Sequence, residues 1–281
     1  MVAEPTIIGV LQVPLIRHTA SLSLSLADSF PPMISALQGS FAEHISSINS
    51  LSPSLNVHAI PVRTPQELSQ CRGLIIPGGE STAISLIITK SGLYEPLKEF
   101  VREAKEGKEG GRSIWGTCAG MILLAKEIKG PVSEGWEGLD GIDVKVGRNS
   151  YGRQLQSFSH PLQLSFLPPS SEPLLATFIR APLLDVILPP LSSSSQPVQV
   201  LARIPRELVP KPRQTTLATG GEAKVGPDSD VVMYRQGKLV ASSWHPELNK
   251  DDQRVHEWWV REIVLGLSSE GGEDSGKTVK A

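Results

Sequence analysis

The stretch SIWGTCAGMILLAKEI, from Ser113 to Ile128, limits the fold of this chain more than any other. An apolar strand runs into Gly116-Thr117-Cys118-Ala119-Gly120, and helical spacing starts at once. Small residues on both sides permit a sharp strand-to-helix turn that pushes the central side chain outward, the geometry of a nucleophile elbow. A thiol there stands at a helix N-terminus, where the dipole and the free N–H groups favour thiolate and can stabilise an oxyanion. By itself the stretch also fits a buried structural cysteine between packing glycines.

Such an elbow springs from a sheet, and the N-terminal half supplies alternating strands and helices. TIIGVL (6–11) reads as a strand buried on both faces. SFAEHISSINSL has helical spacing, with Phe41, Ile45 and Ile48 on one side. NVHAIPVR is a second strand, and TPQELSQC a short helix with Thr64 as N-cap and Pro65 at its first position. GLIIPGG is a third strand ending in a glycine turn, SGLYEPLKEFVREAKEG a helix, SIWGT a fourth strand and AGMILLAKEI the helix after it. The alternation predicts a parallel sheet with helices on both faces.

The second half is less regular. GIDVKVGRNSYGRQLQSFSHPLQLSF and LLATFIRAP contain strand-like runs. From Leu183 to about Asp230 the chain is rich in Pro and Ser, which predicts a long surface loop or insertion (183–230). VVMYRQGKLVASSWHPEL reads as a hairpin turning at Gln236-Gly237. DDQRVHEWWVREIVLGL reads as a closing amphipathic helix, with Val255, Trp258, Trp259 and Ile263 available to the core. A single domain is expected over 1–268, followed by a polar, disordered tail (269–281).

Composition excludes several classes of function. A formal net charge of −2 gives no electrostatic footprint for nucleic acid or an anionic membrane. No run of about 18 apolar residues suggests a spanning helix, and the N-terminus lacks the basic start of a signal peptide. Only two cysteines occur, Cys71 and Cys118, so a disulfide framework is not the design and a reducing, cytosolic setting is expected.

A thiolate nucleophile needs a base. SSWHPEL offers His245, with Glu247 two residues on; in an extended segment the two point the same way. The carboxylate could then fix the imidazole tautomer and stabilise the imidazolium. Alone, His-Pro-Glu is also an ordinary capped turn, and no second His or Cys stands nearby at metal-ligand spacing. LIIPGGEST ends a strand in Gly78 and Gly79, which allow close backbone approach to a ligand. It lacks the Gly-Lys-Ser/Thr ending of a phosphate-binding loop, and Ser81 capping the next helix is the plainer reading.

Together, ALQGSFAEH, PGGESTAI, GTCAGMILLAKEI, RNSYGRQ, FIRAP and HPEL, in this order, resemble the glutaminase subunit of pyridoxal 5′-phosphate synthase, the PdxT/SNO family of class I glutamine amidotransferases. The resemblance implies a three-layer, flavodoxin-like α/β fold with a mostly parallel central sheet. It implies hydrolysis of L-glutamine to glutamate and ammonia, with Cys118 as nucleophile, His245 as base and Glu247 orienting His245. It assigns Gly79, Glu80, Ser81, Arg148, Ile179 and Arg180 to glutamine binding, and the backbone N–H groups of Gly79 and Ala119 to the oxyanion hole. It places Gln38 near a docking face for a synthase subunit, the core of which is a twelve-subunit assembly that receives the ammonia. No metal or prosthetic group is implied. Other readings are the amidotransferase of a different synthase, a non-catalytic regulatory relative, or a thiol peptidase or chaperone on the same fold. The RNSYGRQ and FIRAP stretches argue against the first of these, the intact triad against the second, and the glutamine-pocket motifs against the third.

One segment interrupts the pattern. Removing Gln12–Ser35 restores IGVLALQGSFAEH, a strand leading directly into its loop and helix. The interrupting residues (12–35) carry no motif, and the expectation is an atypical insertion beside the oxyanion loop: a translated retained intron or gene-model error, with a genuine looped-out insertion as the alternative.

Overall fold

The structure is a computed structural model and describes residues 4–12, 40–108, 110–132, 134–148, 157–190, 196–210 and 225–267. Gln38, most of Gln12–Ser35 and the 269–281 tail lie outside the described residues.

The chain opens with β1 (Thr6–Leu11), α1 (Phe41–Asn49), β2 (Val57–Val62), α2 (Pro65–Ser69), β3 (Gly73–Ile76), α3 (Ser81–Lys90), α4 (Tyr94–Glu106), β4 (Ser113–Thr117) and α5 (Ala119–Leu124). It continues through β5 (Ala125–Lys129), β6 (Ile142–Gly147), β7 (Phe158–Leu162), β8 (Leu174–Phe178), β9 (Leu183–Ile187) and β10 (Gln199–Arg203). It closes with β11 (Val231–Gln236), β12 (Leu239–Ser242) and α6 (Arg254–Trp258), which widens into a π-helical segment over Trp259–Leu265. The main sheet has seven strands in the order β10-β11-β12-β4-β3-β1-β2. The contacts from β12 to β2 are all parallel, and β10-β11-β12 form an antiparallel edge. The alternating pattern predicts this mostly parallel sheet, and the family resemblance implies its flavodoxin-like arrangement.

Strand periodicity explains the layers. Successive side chains in a strand face opposite sides. Ile75, Trp115 and Val240 enter one hydrophobic cluster with Ile48 of α1 and Val255 and Trp258 of α6. Their neighbours Leu74, Ile76, Ile114, Leu239 and Ala241 enter a second cluster with Ile84 of α3, Leu97 of α4 and Met121 of α5. The sheet is therefore buried on both faces, and its strands read as continuous apolar runs. Thr64 caps α2 with Pro65 at its first position, in a full capping box with Glu67. Among the described residues, no helix is long and apolar enough to cross a membrane.

Two expectations need correction. The segment 183–230 is not simply a surface loop. Its Leu183–Ile187 run forms β9, paired with β6, and Gln199–Arg203 forms β10 on the edge of the main sheet. Leu184, Ala202 and Ile204 are buried there. The Pro- and Ser-rich text lies between short strands and masks them. The helix expected over AGMILLAKEI also stops early, at Leu124, and Ala125–Lys129 becomes β5 beside β6. Leu139 and Gly141 donate their N–H groups to the carbonyls of Leu123 and Leu124, at 2.7 and 3.0 Å. A tertiary partner thus takes up the carbonyls that end the helix, and local spacing could not reveal it.

Candidate active site

Three loops leave the carboxyl edge of three adjacent parallel strands, the place where open α/β sheets bind ligands. β3 aligns Ile76 with Gly116 of β4, and β12 aligns Ser242 with Thr117. The residues after these strands are Pro77-Gly78-Gly79, Cys118 and Ser243-Trp244-His245. Sheet register alone therefore brings the three separated motifs together.

Cys118 occupies a strained turn, with φ 50° and ψ −105°. Its N–H donates to the Ser242 carbonyl at 2.8 Å, and its own carbonyl accepts from Met121. The flanking glycines explain how the turn packs. A Cβ on Gly116 would lie 2.5 Å from the Gly120 backbone, and one on Gly120 would lie 2.0 Å from the Ile76 carbonyl oxygen. Strand and helix approach so closely here that only hydrogen fits. Ala119 begins α5 and is buried, with its N–H at the helix start.

His245 follows β12, anchored by its N–H to the Thr177 carbonyl of β8 at 3.0 Å. Its Nδ1 lies 2.8 Å from Glu247 Oε1. A Cβ on Gly78 would lie 2.5 Å from His245 Cε1 and 3.3 Å from Cys118 Cβ, so the glycine loop, the imidazole and the thiol residue are in mutual contact. Burial opposes charging of His245, but hydrogen bonding and charge from Cys118 and Glu247 outweigh it and raise its pKa to about 10. Burial likewise opposes ionisation of Glu247; the histidines around it and the Ser40 hydroxyl outweigh that and hold the carboxyl at about 2. The carboxylate is fully buried, yet it accepts from His245 and from Ser40 Oγ. The cluster is thus a carboxylate–imidazole pair aimed at a thiol.

The remaining predicted residues gather around this centre to different degrees. Gly79 has φ 147°, a backbone region open to glycine. Glu80 is exposed and caps α3, accepting from the N–H groups of Thr82 and Ala83 at 3.0 and 2.7 Å. Glu80, rather than Ser81, is therefore the cap, and Ser81 is buried behind it. Arg148, at the end of β6, donates Nη2 to Thr82 Oγ1 at 2.9 Å, while its buried Nη1 has no hydrogen-bond partner among the described residues. Ile179 and Arg180 follow β8 directly, two and three residues beyond the carbonyl that anchors His245; Arg180 has φ 45° and is exposed.

Sequence reasoning gave no role to Ser40, His44 or His256. His44 lies on α1 with its ring fully buried, on the stripe shared by Phe41 and Ile48. A polar side chain at that position of an apolar stripe was the available signal.

The fold is that of the glutamine amidotransferases. More narrowly, the chain belongs to the SNO glutamine amidotransferase family, whose model matches residues 34–265. It is 38% identical over 226 residues to the pyridoxal 5′-phosphate synthase subunit PdxT of Dehalococcoides mccartyi, covering 80% of this chain and 93% of that protein. It is 39% identical over 230 residues to the subunit of the same name from Thermococcus onnurineus, covering 81% of this chain and 96% of that protein. A crystal structure of a glutamine amidotransferase matches with a TM-score of 0.57 at 32% identity, covering 83% of this chain and 97% of that one.

Proposed function

We propose that this chain hydrolyses L-glutamine to glutamate and ammonia and passes the ammonia to a synthase subunit that makes pyridoxal 5′-phosphate. The observation that carries the reading is the contact between Cys118, His245 and the Gly78-Gly79 loop, with Glu247 bonded to the far side of the imidazole. Cys118 sulfur attacks the side-chain amide carbon, and its proton goes to His245. His245 returns that proton to the departing nitrogen, which leaves as ammonia, and a γ-glutamyl thioester remains. His245 then takes a proton from water, the hydroxyl oxygen attacks the thioester carbon, the carbon–sulfur bond breaks, and His245 returns the proton to the leaving sulfur, giving glutamate and the free thiol. Glu247 holds the imidazole in register throughout.

In this reading the N–H groups of Gly79 and Ala119 face the oxyanion, and losing one such donor costs roughly 3 kcal/mol of barrier. Arg148 is suited to the substrate α-carboxylate, because its Nη1 is buried and unpaired among the described residues while Nη2 is fixed by Thr82. Glu80 keeps the Gly79 loop tied to α3, and Ile179 and Arg180 border the pocket from the end of β8. The partner is a synthase subunit assembled as a dodecameric core in the cytosol, with Gln38 close to the docking face. The relatives named synthase subunits support that partner.

The test is glutamate release by the full chain mixed with its synthase subunit. Activity that depends on the partner and is lost in Cys118→Ala is the expected result. Full partner-stimulated activity in Cys118→Ala overturns the assignment.

A further inference from the structure

The two oxygens of Glu247 are not served alike. Oε1 accepts from His245 and Ser40. Among the described residues Oε2 has no hydrogen bond, and His44 Nε2 stands 3.3 Å from it. Behind it, His44 Nδ1 is 3.0 Å from His256 Nε2, and both rings are fully buried. Four side chains therefore form a continuous line: His245 on the loop after β12, Glu247, His44 on α1 and His256 on α6.

The protons on this line can be counted. An ionised carboxylate only accepts, so His44 can serve Oε2 only with its proton on Nε2. In a neutral ring Nδ1 is then a lone pair, and His256 donates its own Nε2–H to it. That arrangement leaves His256 Nδ1 bare, which fits the structure: among the described residues Nδ1 has no hydrogen-bond partner. Burial pushes both histidines below their ordinary value and keeps them neutral, so His44 meets Glu247 as an N–H donor rather than as a cation. Thr117 Oγ1, 3.5 Å from His44 Nε2, is the other polar group at that nitrogen.

We propose that His44 is a positioning residue for the glutaminase reaction: with its tautomer set by His256, it directs an N–H at Glu247 Oε2 and so fixes the carboxylate that orients His245. The proposal rests on the Cys118-His245-Glu247 reading. Other charged groups act on the same line: Glu43 from α1, Lys250 beyond the turn, which lines the cleft reaching Glu247, and Cys118 at the start of α5. The variants below leave all three in place.

Alkylation of the full chain by iodoacetamide at neutral pH reports the thiol–imidazole pair without needing the partner. Cys71 stays silent, because burial lifts its thiol to about 12. In His44→Phe the donor is lost, the carboxylate and with it the His245 ring are held less firmly, and Cys118 alkylates roughly tenfold more slowly. Partner-stimulated kcat falls about tenfold, with KM for glutamine unchanged. His44→Gln, whose Nε2 amide can reach the same oxygen, restores most of both. Nitrogen NMR of the wild-type chain shows His44 as the Nε2–H tautomer, and His256→Phe mixes the tautomers. Folding of each variant is confirmed by circular dichroism. A folded His44→Phe with an unchanged alkylation rate and unchanged kcat overturns the proposal, as does a His44→Gln that loses as much as His44→Phe. A wild-type Cys118 that alkylates no faster than an ordinary thiol overturns the triad reading instead.

Discussion

Glu247 and His256 are both buried, and their ionisation makes folding depend on pH in ways that can be separated. Glu247 is held at about 2, below its ordinary 4.5, so its contribution is present above about pH 4.5 and lost as pH falls toward 2. His256 is a base held down at about 3, so the unfolded chain gains its proton first. Its share of stability is complete above its ordinary 6.5 and declines as pH falls from there to about 3. His245 runs the other way: raised to about 10, it adds stability below 6.5 that is lost as pH rises through 10. Because these contributions overlap, the His256 share is read as a difference. The urea midpoint of the wild type, compared with that of His256→Gln, should lose ground steadily between pH 6.5 and 4.5. Parallel curves over that range would reject the neutral, buried assignment. The proposed triad was legible in the sequence, because a thiol between small residues and a His-x-Glu pair are local patterns. His44 and His256 were not, because their role exists only where α1, α6 and the loop after β12 meet.

The same division holds among the elements. Strands β1 to β4 and β12, with helices α1, α2 and α4, follow from apolar runs, caps and turns that each lie within a few residues. β9 and β10 do not, since each is five residues long and what makes it a strand is a partner far away in sequence. α5 was overextended for the same reason. What the sequence did show at α5 is the demand for small residues, and the structure supplies the cause. Gly120 lies on the first turn of α5 against the end of β3, and an added Cβ would meet the Ile76 carbonyl oxygen at 2.0 Å. That obstacle is backbone, which cannot swing aside like a side-chain tip. Gly120→Ala must push α5 off β3, at about 3 kcal/mol by the measure of overpacked cores. The same shift carries Cys118 away from His245, so activity should fall more than the lost stability accounts for. Chemical denaturation and the glutaminase assay on one preparation check both, and a wild-type denaturation midpoint would show that the packing gives way cheaply.

At the scale of the molecule, the open question is how β1 reaches α1. β1 pairs with β2 on one side and β3 on the other, so it belongs to the interior of the main sheet. The family match nevertheless begins at residue 34, after β1 and most of Gln12–Ser35. The described chain leaves β1 at Gln12, whose N–H bonds the Val62 carbonyl at 2.9 Å, and returns at Ser40, whose hydroxyl bonds Glu247. Both ends are therefore fixed by native contacts, one of them on the Glu247 carboxylate. A longer connection between fixed ends costs little stability, about 0.6 kcal/mol for each doubling of its length. Its effect on Ser40 and the start of α1 bears directly on the donors around Glu247. We therefore propose that Gln12–Ser35 interrupts the working enzyme, and we expect the excised chain, with Leu11 joined to Ala36, to fold with a thermal midpoint within a few degrees of the full chain. Its partner-stimulated glutaminase activity should be higher, with the gain in kcat rather than in KM, because the proposed glutamine-binding residues Arg148, Ile179 and Arg180 lie on other elements. An excised chain that folds but is less active than the full one would show instead that the segment belongs to the enzyme.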